Sequence, residues 1–161
     1  MSDVVRFSNE PVVFAKAERL FQTVARKLAE HIPNAEIRHV GSTAIPGTLT
    51  KGDLDILVRV GAEDFQSAEA TLAGIFERNI ESFRSDEFAA FLDKSTEPDL
   101  GIQLVRRGGE ADSFLIWLDQ LQNDAKLRQQ YDELKRRFEG KSMEEYREAK
   151  ALFISERLRS R

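Results

Sequence analysis

The sequence predicts an α+β fold in which a small mixed β-sheet packs with helices and is followed by a helical C-terminal part, residues 110–161. Three observations support this prediction. Apolar residues recur at helical spacing near the start of the chain, strand-like runs occupy its middle, and only helical spacing follows Gly108 and Gly109. This order of elements is typical of an α+β domain whose closing helices pack on the sheet or extend it as a helical tail.

Length and composition narrow the class of protein. The 161 residues predict a single domain, 1–161, that is large enough to bury its own core. With 41% hydrophobic and 32% charged residues, the chain is too apolar for intrinsic disorder. The absence of cysteine excludes a disulfide scaffold, a thiol nucleophile and a zinc site with cysteine ligands. Since His31 and His39 are its two histidines, a histidine-rich metal centre is nearly excluded.

Charge and hydropathy also limit the partners. The N-terminal segment has neither the basic start nor the apolar core of a signal peptide, and no apolar run is long enough to span a membrane. We therefore expect a cytoplasmic protein that does not associate with membranes. The formal net charge is −4, without a dense patch of Lys and Arg. We therefore do not expect non-specific nucleic-acid binding, because phosphate neutralisation supplies most of its affinity.

The first elements follow from local patterns. Ser8 or Asn9 can cap a helix that Pro11 enters in its first turn and that continues to His31. The apolar stripe of this helix is Val13, Ala17, Leu20, Val24 and Leu28. Two strands are predicted next, Glu36 to Val40 and the more continuously apolar Leu54 to Val60. Between them, Gly41 to Gly52 is a loop of small residues.

The remaining elements are predicted in the same way. A second helix has an apolar stripe formed by Phe65, Ala68, Leu72, Ile75 and Phe76. A strand pair, Ile80 to Arg84 and Phe88 to Leu92, precedes a half-buried strand from Leu100 to Arg106. Two C-terminal helices follow, separated by Gly140, and Ser142 with Glu145 forms a capping box for the last one. Their apolar stripes are Leu127, Tyr131, Leu134 and Phe138, then Tyr146, Phe153, Ile154 and Leu158.

One constellation indicates chemistry. Gly41, Ser42 and Thr43 follow the first strand, and Asp53 and Asp55 stand at the start of the second. Strand alternation places both carboxylates on one face, roughly 7 Å apart along the backbone. Oxygen ligands of this kind favour Mg²⁺ or Mn²⁺, which bind through carboxylates together with phosphate oxygens. Glycine permits a close approach to a phosphate, and serine offers a hydroxyl and an amide to bind it.

The same residues also have structural interpretations. Asp53 can be a turn residue and Asp55 a charged residue that protects a sheet edge from aggregation. Ser42 and Thr43 can satisfy local backbone groups of an ordered loop. Lys51, two residues before Asp53, is placed to reach a triphosphate, although a single loop lysine is usually solvated.

A Gly-Ser pair after one strand and an Asp-x-Asp on the next resemble the signature of the nucleotidyltransferase superfamily, the DNA polymerase β-like proteins. More narrowly, the run from His39 to Gly47, with Lys51 and Asp55-Ile56, resembles the GrpB family within that superfamily. The similarity extends from about Arg38 to Leu158 and includes the order Tyr131, Leu134, Lys135, Tyr146, Lys150, Phe153, Ile154. The resemblance implies that the predicted sheet is of the nucleotidyltransferase type.

Two departures from the family pattern concern the metal ligands. Asp53 stands where the family is often apolar, which brings this chain closer to the complete superfamily metal pair. On the Leu100 to Arg106 strand, the family usually has a His-x-His pattern, whereas this chain has Gly101 and Gln103. The superfamily's third carboxylate belongs on that strand, where Asp99 is the available candidate. Gln103 and His39 remain as weaker candidates for orienting a substrate.

The predicted function is binding of a nucleoside triphosphate with Mg²⁺ or Mn²⁺, with transfer of a nucleotidyl group to an unknown acceptor. Asp53 and Asp55 would hold the metal, and Asp99 would complete the catalytic carboxylates and act as the base. Gly41, Ser42, Thr43 and Lys51 would contact the phosphates. The alternative is a non-catalytic nucleotide-binding or assembly module of the same fold, since the family also occurs appended to dephospho-CoA kinase.

Overall fold

The computed structural model describes residues 3–159, which form five α-helices, two short 3₁₀ helices and a five-stranded sheet. In chain order, the helices are α1 (Pro11–His31), α2 (Phe65–Ala73), α3 (Phe114–Asn123), α4 (Ala125–Phe138) and α5 (Met143–Arg159). The strands are β1 (Glu36–Val40), β2 (Leu54–Val60), β3 (Glu77–Arg78), β4 (Phe88–Asp93) and β5 (Leu100–Arg106). Of these helices, none is long and apolar enough to cross a membrane.

The strands form one mixed sheet in the order β1-β2-β5-β4-β3. The central pair, β2 and β5, is parallel, and the other neighbours are antiparallel. In this register Asp55 stands between Val40 of β1 and Gly101 of β5, and Leu57 pairs with Gln103. The predicted α+β fold with a small mixed sheet is confirmed.

Helices cover both faces of the sheet. Ile56, Val58 and Leu104 belong to the core under α1 and α2, whereas Leu57 and Val105 belong to the core under α3, α4 and α5. Burial on both faces explains why β2 is almost continuously apolar. Of the two expectations for the C-terminal helices, the structure shows the packed arrangement. The side chains of Asp55 and Gln103 share the Leu57 face and therefore lie under these helices.

The start of α1 differs from the expected cap. Glu10 occupies the N-cap position and makes no side-chain capping bond, while Pro11 begins the helix as predicted. Ser8 instead forms a bridge with Thr50, in which each backbone N–H donates to the other residue's carbonyl at 2.9 Å. Pairing with the loop thus occupies the segment that sequence alone assigned to capping.

The predicted strand from Ile80 to Arg84 is wrong, because the strand that pairs with β4 is the short β3, Glu77–Arg78. The side chain of Asn79 accepts a hydrogen bond from a backbone N–H two residues on, which turns the chain out of the sheet. Ile80 is 90% exposed, and the 63% exposed Phe83 stacks on the first residue of β4. The α2 helix also ends earlier than its stripe suggested, at Ala73 before Gly74.

The junctions of the C-terminal helices largely follow the sequence. Asp124 caps α4 by accepting the backbone N–H of Leu127 at 3.0 Å. Gly140 follows α4 with a φ of +78°, a conformation that favours glycine. Ser142 Oγ accepts the backbone N–H of Glu145 at 3.3 Å, which is one half of the predicted capping box.

Candidate functional site

The carboxylate of Asp55 occupies a notch between two glycines. Gly41 directly follows β1 with a φ of 78° and a ψ of −174°, a combination that is essentially restricted to glycine. A Cβ atom at position 41 would lie 2.5 Å from Asp55 Oδ2, and one at position 101 would lie 3.1 Å from Asp55 Oδ1. Because Gly41 and Gly101 have no side chains, the space beside them accommodates the Asp55 carboxylate.

Electrostatics distinguish Asp55 from an ordinary surface aspartate. Burial raises the pKa of its carboxyl, because the charged form loses hydration. The ammonium of Lys150 on α5 opposes this effect most strongly, while the neighbouring charge of Asp53 adds to it. Asp55 is therefore a desolvated carboxylate whose main cationic neighbour comes from a distant part of the chain.

Asp55 opens into a cavity of about 180 Å³ between the sheet and the C-terminal helices, called here the Asp55 cavity. Its polar lining combines Ser42, Asp55 and Gln103 with Lys150. Its full lining is Val40, Gly41, Ser42, Asp55, Gln103, Phe114, Trp117, Leu118, Leu121, Tyr131, Lys150 and Ile154. Within residues 3–159, Lys150 has no hydrogen bond or ion pair, and the buried Gln103 Oε1 has no hydrogen-bond partner. The cavity thus offers a free cation and a free acceptor to a ligand.

Asp53 lies on the other side of the loop. Its Oδ2 is 3.5 Å from Lys51 Nζ, and its side chain is 44% exposed. Asp53, Lys51 and Asp99 line a second cavity of about 420 Å³, which also includes residues of the N-terminal segment and of α1. The two aspartates of the Asp-x-Asp pair therefore line different cavities.

The predicted group of three carboxylates is not brought together. Among residues 3–159, no three His, Asp or Glu side chains form a group that could hold a metal ion. Asp99 lines the second cavity with Asp53, and its backbone carbonyl accepts the N–H of Leu54. Gln103, a neutral side chain, takes the place beside Asp55 on β5.

Ser42 and Thr43 have different surroundings. Ser42 lines the Asp55 cavity, and its Oγ lies 2.6 Å from Thr50 Oγ1. Because Thr50 Oγ1 accepts the N–H of Gly52, it can donate its own proton to Ser42 and leave the Ser42 proton for a ligand. Thr43 is 3% exposed and lines neither cavity, and its hydroxyl donates to the carbonyl of Asp53 at 3.0 Å. Thr43 therefore supports the loop from inside.

His39 faces α1, away from the Asp55 cavity. Its ring stacks on Phe21 at 5.3 Å, with Nδ1 2.8 Å from a Glu18 carboxylate oxygen and Nε2 2.9 Å from Thr43 Oγ1. Both ring nitrogens are engaged, and the ring lines neither cavity. His39 therefore connects α1 to the loop and does not face a ligand site.

Several residues of the cavity come from the helices that follow the sheet, and sequence reasoning gave them no role in the site. Tyr131 was predicted as part of an apolar stripe and of the C-terminal family pattern, and Lys150 was named only as part of that pattern. One signal was available: Lys150 lies four residues after Tyr146 and four before Ile154, so it falls on the apolar stripe of its helix. A lysine on a buried stripe is a candidate for a partly enclosed charge.

Comparisons with known proteins agree with this architecture. Residues 14–160 match the family described as GrpB protein. A UPF0157 protein of Vibrio cholerae serotype O1 is 34% identical over 155 residues, which cover 96% of this chain and 82% of the relative.

Two solved structures have a similar fold. The conserved protein GrpB from Enterococcus faecalis superposes with a TM-score of 0.63 and 18% identity, covering 81% of each chain. The Cid1 poly(U) polymerase bound to MgGTP superposes with a TM-score of 0.52 and 18% identity, over 76% of this chain and 41% of the polymerase. At these identities the likeness shows the fold, which is that of the nucleotidyltransferases.

Proposed function

The chain belongs to the GrpB family, and from that premise we propose that it binds a nucleoside triphosphate with Mg²⁺ or Mn²⁺ where β1 ends and β2 begins. The observation that carries the proposal is the meeting of Ser42, Asp55 and Lys150 in one cavity. A hydroxyl, a carboxylate and an ammonium are the kinds of group that bind a metal–phosphate complex.

The phosphates would lie along the loop after β1. Ser42 supplies a hydroxyl whose proton Thr50 can leave free, and Gly41 allows close approach because it has no side chain. Lys150 has no hydrogen bond or salt bridge within residues 3–159, although its charge acts on Asp55, so it could contact an incoming phosphate without breaking a direct ion pair. Lys51 lines the second cavity and pairs with Asp53 at 3.5 Å, so it would reach the phosphates only after releasing Asp53.

The two aspartates fit a magnesium ion that also has phosphate ligands. Mg²⁺ characteristically binds through one or two carboxylates, with phosphate oxygens and waters completing its octahedron. Asp55 on β2 and Asp53 directly before that strand would supply the carboxylates, and a third acidic group is not needed for such a site. When bound, the metal would neutralise charge on the phosphates.

The apolar part of the Asp55 cavity would receive a ring-sized group. Its volume of about 180 Å³ is below the roughly 300–1,000 Å³ of typical small-molecule pockets, so a whole nucleotide would extend out of it. Trp117 and Phe114 supply aromatic walls, and Gln103 Oε1 supplies an acceptor for an N–H or O–H donor. These features support a ligand with a flat polar ring joined to an anionic group.

Nucleotidyl transfer is the second candidate function, and the intact Asp53-x-Asp55 pair favours it. An acceptor oxygen would form a bond to the α-phosphorus, and the bond from that phosphorus to the bridging oxygen would break. Pyrophosphate would leave, and the acceptor would lose its proton to a base. Asp99 remains the proposed base, but its position in the second cavity with Gln103 beside Asp55 favours binding without transfer.

The binding proposal is tested by thermal unfolding with ATP, GTP, CTP or UTP, each with Mg²⁺ or with EDTA. A ligand at about 100 times its Kd stabilises the folded state by about 2.7 kcal/mol, which corresponds to roughly 5–10 °C in Tm for a chain of this size. The increase should require Mg²⁺ and at least one triphosphate. If none of the four at millimolar concentration raises Tm, the proposal is wrong.

Matched variants assign the effect to the site. Asp55→Asn should abolish the magnesium-dependent increase, whereas Asp86→Asn, at an exposed position, should retain it. Lys150→Met should weaken triphosphate binding, and Lys126→Met, at an exposed position of α4, is its control. Transfer is tested separately by following label from an α-labelled triphosphate into a small-molecule extract. Label in an acceptor with wild type, absent with Asp55→Asn, supports transfer, and its absence with wild type supports binding alone.

A further inference from the structure

The backbone of one loop residue, Leu49, is held by α4 at both its N–H and its carbonyl. Lys135 Nζ donates to the Leu49 carbonyl at 2.6 Å, and the Leu49 N–H donates to Asp132 Oδ1 at 3.1 Å. Asp132 and Lys135 lie three residues apart on the helix, so their side chains share one face, with 3.6 Å between ammonium and carboxylate. The N–H and the carbonyl of one residue are thus paired with two charges of opposite sign.

Lys135 is unusual among the lysines of this chain because it is 2% exposed. Its ammonium lies 4.0 Å from the centre of the Tyr131 ring. Burial lowers its pKa to about 8, against the opposing effect of Asp132, while Lys150 adds a like charge nearby. A buried ammonium loses its hydration and needs close partners to compensate for that loss, and Leu49, Asp132 and Tyr131 are those partners.

The residues on either side of Leu49 both contact Ser42. Thr48 Oγ1 lies 2.9 Å from the Ile45 carbonyl, its main acceptor, and 3.4 Å from the carbonyl of Ser42. Thr50 Oγ1 lies 2.6 Å from Ser42 Oγ. Both threonines are buried, so a shift of the peptide between them would be transmitted to Ser42.

We propose that Lys135 and Asp132 are positioning residues, which hold the Leu49 backbone so that Thr48 and Thr50 keep Ser42 oriented toward the Asp55 cavity. The proposal rests on the proposed function, because it assigns these residues a role in the site that would bind phosphate. Neither residue lines the Asp55 cavity, so neither would touch a ligand bound there. Their effect on binding therefore acts through the loop.

The first measurement is hydrogen exchange of the Leu49 amide in the absence of ligand. Asp132→Ala removes the acceptor of that amide, so its exchange should become at least tenfold faster, whereas Asp132→Asn keeps an acceptor oxygen and should restore most of the protection. Lys126→Met, at an exposed position of the same helix, serves as the control and should leave this exchange unchanged. Unchanged Leu49 exchange in Asp132→Ala would overturn the proposal.

The second measurement separates positioning from general stability. Lys135→Met keeps most of the buried stem but leaves Asp132 and the Leu49 carbonyl without their cationic partner, which should lower the Tm, so binding is measured at a temperature where the variant is fully folded. Its Kd for magnesium and the triphosphate that binds wild type should nevertheless rise about tenfold, and Lys135→Arg should recover part of this loss. Wild-type affinity in Lys135→Met would overturn the positioning role. If wild type binds no triphosphate, the proposed function fails, while the Leu49 exchange still decides whether the peptide is held.

Discussion

Replacement of Gly41 by alanine tests the close seating of Asp55 against β1. The φ of 78° and ψ of −174° at Gly41 lie in a region where a non-glycine residue costs about 1–3 kcal/mol. The added methyl would also stand 2.5 Å from Asp55 Oδ2, and overpacking of this kind costs about 1–3 kcal/mol more. We expect Gly41→Ala to lower the free energy of unfolding by about 2–6 kcal/mol.

Gly47 provides a matched control, because it also has a positive φ, 92°, but a Cβ there would meet nothing within 4 Å. Gly47→Ala should therefore lower the free energy of unfolding only by the strain of a positive φ, without a steric overlap. Chemical denaturation measures both free energies, and thermal scans should show a shift of about 2–4 °C for each kcal/mol. If Gly41→Ala is no more destabilising than Gly47→Ala, the Asp55 carboxylate is not seated against Gly41.

A double-mutant cycle with Asp55→Ala identifies the contact. Truncation of Asp55 removes the carboxylate oxygens that the new methyl would meet, so Gly41→Ala should cost less in the Asp55→Ala background than in wild type. We expect a coupling of about 1–3 kcal/mol, equal to the overpacking cost. An additive result would refute the reasoning, since the two sites would then not share a contact.

Three further outcomes are expected. Asp55→Asn should stabilise the metal-free protein at neutral pH, because burial raises the pKa of the Asp55 carboxyl. The free energy of unfolding of Asp55→Asn, compared with that of wild type, should therefore increase as the pH rises above about 3.8. The pKa of Lys135 is lowered to about 8 in the folded protein, so between about pH 8 and 10.5 the unfolded chain binds more protons than the folded one. Over this range the free energy of unfolding of wild type should therefore rise relative to that of Lys135→Met, as measured by denaturation at several pH values. Ile80→Ser should change stability by less than about 0.5 kcal/mol because Ile80 is 90% exposed; a larger loss would indicate that this segment packs as a strand.

Local patterns in the sequence were sufficient for most of the fold. The helix beginning at Pro11 and the strands β1, β2 and β5 lie where periodicity predicted them, because the spacing of apolar residues shows which positions of these elements are buried. The segment from Ile80 to Arg84 shows the limit of that method. Its residues have strand propensity, but the hydrogen bond made by Asn79 turns the chain before they can pair.

The start of the candidate site was also predictable, since Gly41, Ser42, Asp53 and Asp55 lie close together along the chain and their strands pair directly. Alternation predicted that the two aspartates share one face, but Asp53 precedes β2 and the two side chains line separate cavities. That separation depends on what covers each one: the C-terminal helices lie over Asp55, while the N-terminal segment and α1 border Asp53.

The contributions of Lys150, Tyr131 and Lys135 depended on tertiary structure. Each lies on a helix far along the chain from Asp55 or Leu49, and helical periodicity shows only that a position faces inward. Whether an inward residue meets apolar core, a carboxylate or a loop peptide is decided by how the helices dock on the sheet. Lys135 illustrates the physical reason: its burial is tolerated because docking brings the Leu49 carbonyl to 2.6 Å from its ammonium, a contact that no local spacing encodes.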